Sequence, residues 1–229
     1  MRPARFAGLL ASTLLLVLPA FSAQSADGRE TKASSPPTAK SLADRVDHHY
    51  NTLHSLSVNF TQEYDGMGTH RRESGLLILR KPGKMRWTYS QPEGKLFLLD
   101  GHDAYFYSPG SNEVPRIPAG KLDDFRSPLR FLLGHTNLAR DFTNLQLTPA
   151  SDGNYDLSGI PKGMEQRITS LRLHVSAEGV ILGMKIDETD GALTSFVFAD
   201  EKTNIPTKDA DFVFRPAPGV KVIDGLPPI

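Results

Sequence analysis

The stretch from Gly75 to Tyr89, Gly-Leu-Leu-Ile-Leu-Arg-Lys-Pro-Gly-Lys-Met-Arg-Trp-Thr-Tyr, constrains the fold more than any other. It reads as two β-strands joined by a turn at Lys81-Pro82-Gly83-Lys84. Leu76 to Leu79 is apolar at every position, so both faces of that strand require cover. Beyond the turn, Met85, Trp87 and Tyr89 alternate with Lys84, Arg86 and Thr88. A period of two puts the first three on one face. The chain's only tryptophan therefore lies in a strand between a methionine and a tyrosine, an arrangement that either walls an apolar cavity or fills an ordinary core.

The flanking segments extend the sheet. Val58 to Tyr64 alternates, with Val58, Phe60, Gln62 and Tyr64 on one face. Lys95 to Leu99 reaches Asp100-Gly101, a hairpin signal, and returns as Ala104 to Tyr107. Further strands are expected at 113–117, 142–148, 154–157, 169–175, 180–187, 193–199 and 212–214, broken by glycine and proline clusters. Ahead of them, Ser41 and Asp44 read as a capping box for a helix. Leu42, Val46, Tyr50 and Leu53 follow at spacings of four, four and three, an apolar stripe that must lie against the sheet. Ser127-Pro128-Leu129-Arg130-Phe131-Leu132-Leu133-Gly134 reads as one or two helical turns with a serine cap and a glycine stop. Leu129, Phe131, Leu132 and Leu133 make it apolar enough to serve as a lid or as a core-capping turn. The fold class expected is mainly β with helices (α+β): a strongly curved antiparallel sheet or barrel of about eleven strands.

Arg2 and Arg5, an apolar run from Phe6 to Leu18, then Pro19 and small residues have the layout of a secretory signal peptide. Thirteen residues fall short of the ~20 that span a bilayer. Residues 1–25 are read as the signal, with cleavage near 22 or 25, and residues 26–40, rich in Ser, Lys and Pro, as a disordered spacer. Residues 41–229 are read as a single domain. The chain contains no cysteine, which excludes disulfides and thiol-linked lipid, so no stable membrane anchor is expected. Removing Arg2 and Arg5 from 26 basic and 26 acidic residues leaves a net charge of about −2. That balance has neither the basic footprint of a nucleic-acid binder nor a polybasic membrane patch.

Chemistry is hard to find. His48, His49 and His54 lack the i, i+4 spacing that puts two ligands on one helix face, and no H-E-x-x-H occurs, so no metal site is expected. There is no G-x-S-x-G elbow and no thiol nucleophile. No phosphate-cradling loop is present, and no cofactor is expected. A carboxylate pair meeting only in three dimensions keeps a secreted hydrolase as one alternative. What remains is binding. Trp87, Tyr89, Phe97, Tyr105, Phe106 and Tyr107 on adjacent strands, under a helix and an apolar lid, can enclose an apolar cavity.

Several pieces carry a family resemblance. They are Phe60-Thr61-Gln62, Gly75 to Leu79, Lys81-Pro82-Gly83-Lys84-Met85-Arg86-Trp87, Gln91-Pro92, Leu99-Asp100-Gly101 and Tyr105-Phe106-Tyr107. Asp187 with Gly191 and Phe212-Val213-Phe214-Arg215-Pro216-Ala217-Pro218-Gly219-Val220 complete the set. In this order and spacing, from about residue 41 to 223, the chain resembles the periplasmic outer-membrane lipoprotein carrier (LolA-like) family. The resemblance implies an unclosed β-barrel with a helical lid over a hydrophobic cavity, and no catalysis. It implies a periplasmic protein that binds acyl chains of lipoproteins handed over by an inner-membrane ABC-type releasing complex and delivers them to an outer-membrane receptor. A monomer is expected. The cavity wall is then expected from Phe60, Met85, Trp87, Tyr89, Phe97, Tyr105 and Tyr107. The family's arginine before the turn proline, which holds the lid through backbone carbonyls, corresponds to Lys81 here. Arg80 is the alternative, but a shift of one residue in a strand faces the other way. A lysine offers a point charge in place of a planar fork. On this resemblance the hydrolase alternative would be periplasmic; the other alternative function is a lipid-binding sensor or regulatory module of the same fold.

Overall fold

The computed structural model describes residues 36–124 and 136–225. The expected signal peptide, the spacer up to residue 35, and the expected lid residues Leu129, Phe131, Leu132 and Leu133 lie outside the described residues.

Helix α1 (Ala39–Thr52) starts earlier than expected. Thr38, not Ser41, is its N-cap: Ser41 N donates to Thr38 Oγ1 at 3.1 Å, and Thr38 N donates to Ser41 Oγ at 2.9 Å. Ser41 is thus the third residue of the box, where its hydroxyl does what Glu or Gln more often does. Asp44 is free to pair with Lys40 one turn back, at 2.7 Å. The apolar stripe falls as the spacing predicts, with Leu42, Val46, Tyr50 and Leu53 all buried.

Twelve strands follow among the described residues: β1 (Ser55–Gly66), β2 (Thr69–Arg80), β3 (Lys84–Gln91), β4 (Glu93–Leu99), β5 (Asp103–Tyr107), β6 (Glu113–Pro118), β7 (Phe142–Pro149), β8 (Tyr155–Pro161), β9 (Ile168–Val175), β10 (Ile181–Glu188), β11 (Leu193–Thr203) and β12 (Lys221–Asp224). A short helix α2 (Leu138–Asp141) leads into β7. They form one sheet in the order β12-β6-β5-β4-β3-β2-β1-β11-β10-β9-β8-β7. Every pairing is antiparallel except β12 on β6. The sheet curls without closing and leaves β12 and β7 as its edges. The chain runs outward through β1 to β6, then returns from the opposite edge, so that β1 pairs with β11 along its length and joins the two halves.

The expected strand at 212–214 does not form. Asp209–Phe212 is a 3₁₀ turn, in which Lys208 N donates to the Asp211 carboxylate at 2.6 Å. The final strand is Lys221–Asp224, running parallel to β6. This C-terminal segment covers the outer side of the sheet. Phe212 is buried under the Arg80 guanidinium, 5.0 Å from its ring, and Arg86 donates to the Asp211 carbonyl at 3.0 Å. On β2 the two faces differ. Leu77 and Leu79 are fully buried on the inner face, whereas outward-facing Leu76 stays 39% exposed. Full cover of both faces, expected from the apolar run, is therefore not reached at Leu76.

Gly75 shows why the motif opens on glycine. The β2–β3 ladder shifts register between Ser74 and Gly75. A Cβ at Gly75 would lie 2.1 Å from the Thr88 carbonyl oxygen. The two backbones approach where no side chain fits.

Candidate functional site: an aromatic face under a tethered helix

One apolar core occupies the inner face and unites α1 with residues from β1 to β5 and from β7 to β11. Its centre is aromatic. Phe60 on β1 meets Trp87 at 4.6 Å and Tyr89 at 5.1 Å between ring centroids, both edge-on. Trp87 lies 5.8 Å from Phe196 on β11, which stacks on Phe198 at 5.9 Å. Phe97 on β4 packs against Phe106 on β5 at 4.8 Å. The indole Nε1 donates to the Met85 sulfur at 2.9 Å, so the polar atom of Trp87 is spent on a soft neighbour within the wall. At the other end of β2 from the Lys81 turn, Lys95 sits 2.6 Å from both oxygens of Glu73 and 4.5 Å over the Tyr89 ring. Burial, and then the Glu73 charge, push the Tyr89 phenol well above its usual range.

Phe60, Met85, Trp87, Tyr89 and Phe97 share this inner face. Tyr105 and Tyr107 do not. They pair with Leu98 and Leu96, which stand opposite Arg86 and Thr88 on the outward face. Tyr105 stacks on Phe214 of the C-terminal cover at 5.0 Å. Phe106 takes the inner position instead. The signal was present: Leu99 and Ala104 flank the Asp100-Gly101 turn as a cross-strand pair, so counting outward from them puts Phe97 beside Phe106. Phe196 and Phe198, two residues apart in β11, are the other aromatics that the sequence reading left out of the wall.

Helix α1 crosses this face and is tied down on several sides. Lys81 Nζ donates to the Tyr50 carbonyl at 2.6 Å, close to the C-terminal end of the helix, and Lys81 N donates to His54 O at 2.8 Å. Partial burial pulls the Lys81 ammonium below the usual lysine range. A cation there also meets the negative end of the helix dipole. Arg80 points the other way, into an ion pair with Asp209 on the outer face, which removes it as the alternative tether. Across the helix, Arg45 donates to Ala177 O at 2.7 Å in the β9–β10 turn. Gly179 there has φ +96°, and a Cβ would come within 2.6 Å of the Arg45 backbone. Asn51 donates to Thr136 O at 2.9 Å, and Asp47 accepts from Leu138 N at 3.1 Å. Tyr50 donates its hydroxyl to Glu201 at 2.9 Å and receives Ile181 N at 3.0 Å. Burial, reinforced by Glu201, drives its phenol far above the normal range.

Between α1 and the sheet lies a small cavity of about 10 Å³, with Tyr50, Leu77, Ile181, Phe198 and Glu201 in its lining. Pockets that hold small ligands run to roughly 300–1,000 Å³, so this one has room for about a single water. In this conformation α1 itself fills most of the space that the curved face defines.

A curled open sheet with one aromatic face, closed by a helix that polar contacts hold, defines a class of lidded half-barrels. The profile of the "Outer membrane lipoprotein carrier protein LolA" family matches residues 51–215. The chain belongs to this family. An outer-membrane lipoprotein carrier protein from Nitrosomonas europaea is 30% identical over 192 residues, which is 82% of this chain and 91% of the relative. The protein of that name from Chromobacterium violaceum is 28% identical over 171 residues, 75% and 82% of the two chains. In fold alone, an uncharacterized conserved protein from Thermus thermophilus aligns with a TM-score of 0.52 at 13% identity, over 82% of this chain and 99% of the other.

Proposed function

We propose that this protein is a periplasmic carrier that takes up the acyl chains of lipoproteins on its inner aromatic face, receives them from an inner-membrane ABC-type releasing complex, and passes them to an outer-membrane receptor. The carrying observation is the tether itself: the apolar face is covered by a helix that Lys81 holds through a single backbone carbonyl, 2.6 Å away. A single charge-assisted hydrogen bond of this kind can break and re-form without any covalent step, as a cover that leaves and returns requires.

The physics makes a protected cavity necessary. Three acyl chains with about 45 methylenes, at ~0.8 kcal/mol each, would cost on the order of 35 kcal/mol to bring into water. Non-covalent affinities end near ~20 kcal/mol, so transfer has to run from one apolar site to another. The cavity of about 10 Å³ beneath α1 cannot hold even one acyl chain. Loading therefore displaces α1, and the chains replace its apolar stripe against Trp87, Phe60 and Phe196. No covalent step is involved. Release follows when α1 regains its contacts and competes with the chains for the same face.

Trp87 reports on this directly, because it is the only tryptophan. A tripalmitoyl lipopeptide carrying brominated acyl chains should quench its emission saturably, at about one lipopeptide per protein. Emission that ignores the brominated chains while the lipopeptide is bound would place the chains elsewhere.

A further inference from the structure

We infer that Glu201 is a second clasp on α1, a positioning residue that sets how readily the helix leaves the apolar face; this rests on the carrier reading above. Its carboxylate takes two side chains of α1 at once: His49 Nε2 lies 2.7 Å from Oε1, and the Tyr50 hydroxyl donates to Oε2 at 2.9 Å. Glu201 keeps only 13% of its side-chain exposure and sits in the lining of the pocket beneath α1. Charge-assisted hydrogen bonds of this kind are the strong ones.

The backbone of β11 is shaped to deliver that carboxylate. Along β11, Thr194, Phe196 and Phe198 face inward by simple alternation, paired with Tyr64, Gln62 and Phe60 of β1. Continued alternation would aim Asp200 inward and Glu201 out to solvent. Instead the ladder slips: Asn59 pairs with Ala199 but Ser57 with Lys202, so Asp200 and Glu201 together stand against Val58. This is a β-bulge, a device that re-aims side chains beside functional sites. Asp200 adopts φ +57°, a conformation uncommon outside glycine, and Asn59 Nδ2 donates to its carboxylate at 2.9 Å. The strand thus breaks its own alternation at the one place where doing so turns an acid onto the helix.

Tyr50 is where the two clasps converge. Lys81 holds its carbonyl from the β2–β3 turn, and Glu201 holds its hydroxyl from β11. Tyr50 and Glu201 both line the pocket. An acyl chain entering there meets the Glu201 contacts directly, and full displacement of α1 breaks the Lys81 contact too.

Amide hydrogen exchange on the full mature chain tests this without any cargo. Glu201→Ala should speed exchange across residues 42–52 at least about tenfold (~1.4 kcal/mol), while β3 and β9, away from the bulge, keep wild-type rates. Glu201→Gln, which retains an acceptor for Tyr50, should recover part of the protection. The same Glu201→Ala protein should take up tripalmitoyl lipopeptide faster than wild type. Unchanged exchange in α1, or a uniform rise throughout the sheet, overturns the clasp, because the first means no hold and the second only lost stability. If α1 alone loosens and no variant binds the lipopeptide, the clasp stands and the carrier reading fails.

Discussion

His174 shows how two neighbours set the titration of one side chain. On β9, its Nδ1 is 2.8 Å from Asp156 on β8, and its Nε2 is 2.9 Å from Asp152 in the β7–β8 turn. Partial burial of the ring opposes its charge, but the hydrogen bonds and charges of Asp156 and Asp152 outweigh it and raise the His174 pKa. Asp152 falls to about 2, chiefly because the Asn154 side chain and backbone donate to it, with His174 adding to the effect. The signs then follow from linkage. The raised histidine contributes stability that is complete below its ordinary value near ~6.5 and is lost as pH rises through the folded value. The lowered aspartate contributes above ~4 and loses that contribution as pH falls towards 2. The β7–β8 turn should therefore be firmest between about pH 4 and 6.5. An NMR titration should place the His174 midpoint above ~6.5 in the wild type and lower in Asp156→Asn. Equal midpoints in the two proteins would mean that the pairing does not persist in solution.

Among the elements, the turn between β2 and β3 places Lys81 Nζ 2.6 Å from the Tyr50 carbonyl, and on the proposed function this contact holds the cover. Lys81→Leu removes the donor to the Tyr50 carbonyl and should loosen α1, with a stability loss of about 1 kcal/mol, since the ammonium is only partly buried and solvent screens it. A dye for apolar surface should bind several-fold more to that variant, and Lys81→Arg should return binding to the wild-type level. Equal dye binding by Lys81→Leu with the fold intact would take Lys81 out of this role. The position of Lys81 came from the family resemblance, and strand parity beside the Pro82-Gly83 turn only separated it from Arg80. The stripe of α1 was legible for a local reason, a helical period. Its start was not, because Thr38 and Ser41 are both capping residues and only geometry decides which one caps. Strand β12 escaped notice since Lys-Val-Ile-Asp is four residues long and gains its partner, β6, from a distant part of the chain. Glu201 was hidden for the deepest reason. Its direction depends on a bulge created by pairing between β1 and β11, more than 130 residues apart, and alternation read along β11 predicts the wrong face.

In the whole molecule, on the proposed function, acyl chains and the helix that covers them compete for one apolar face. The aromatic wall is inward on both halves of the sheet, from Phe60 and Trp87 to Phe196 and Phe198. The cover is held by hydrogen bonds that can re-form, at Lys81, Arg45 and Glu201. Binding strong enough to extract a lipid anchor must remain weak enough to surrender it, and competition between α1 and cargo for one surface meets both conditions. The most direct test is transfer itself. Inner-membrane vesicles containing the ATP-driven releasing complex and a triacylated lipoprotein are incubated with the purified protein, and the soluble fraction is assayed for lipoprotein. A carrier should give ATP-dependent appearance of lipoprotein in a soluble one-to-one complex, with both proteins chemically unchanged. Lipoprotein that stays on the vesicles while ATP is consumed, together with protein from which no lipid can be extracted, would contradict the carrier reading.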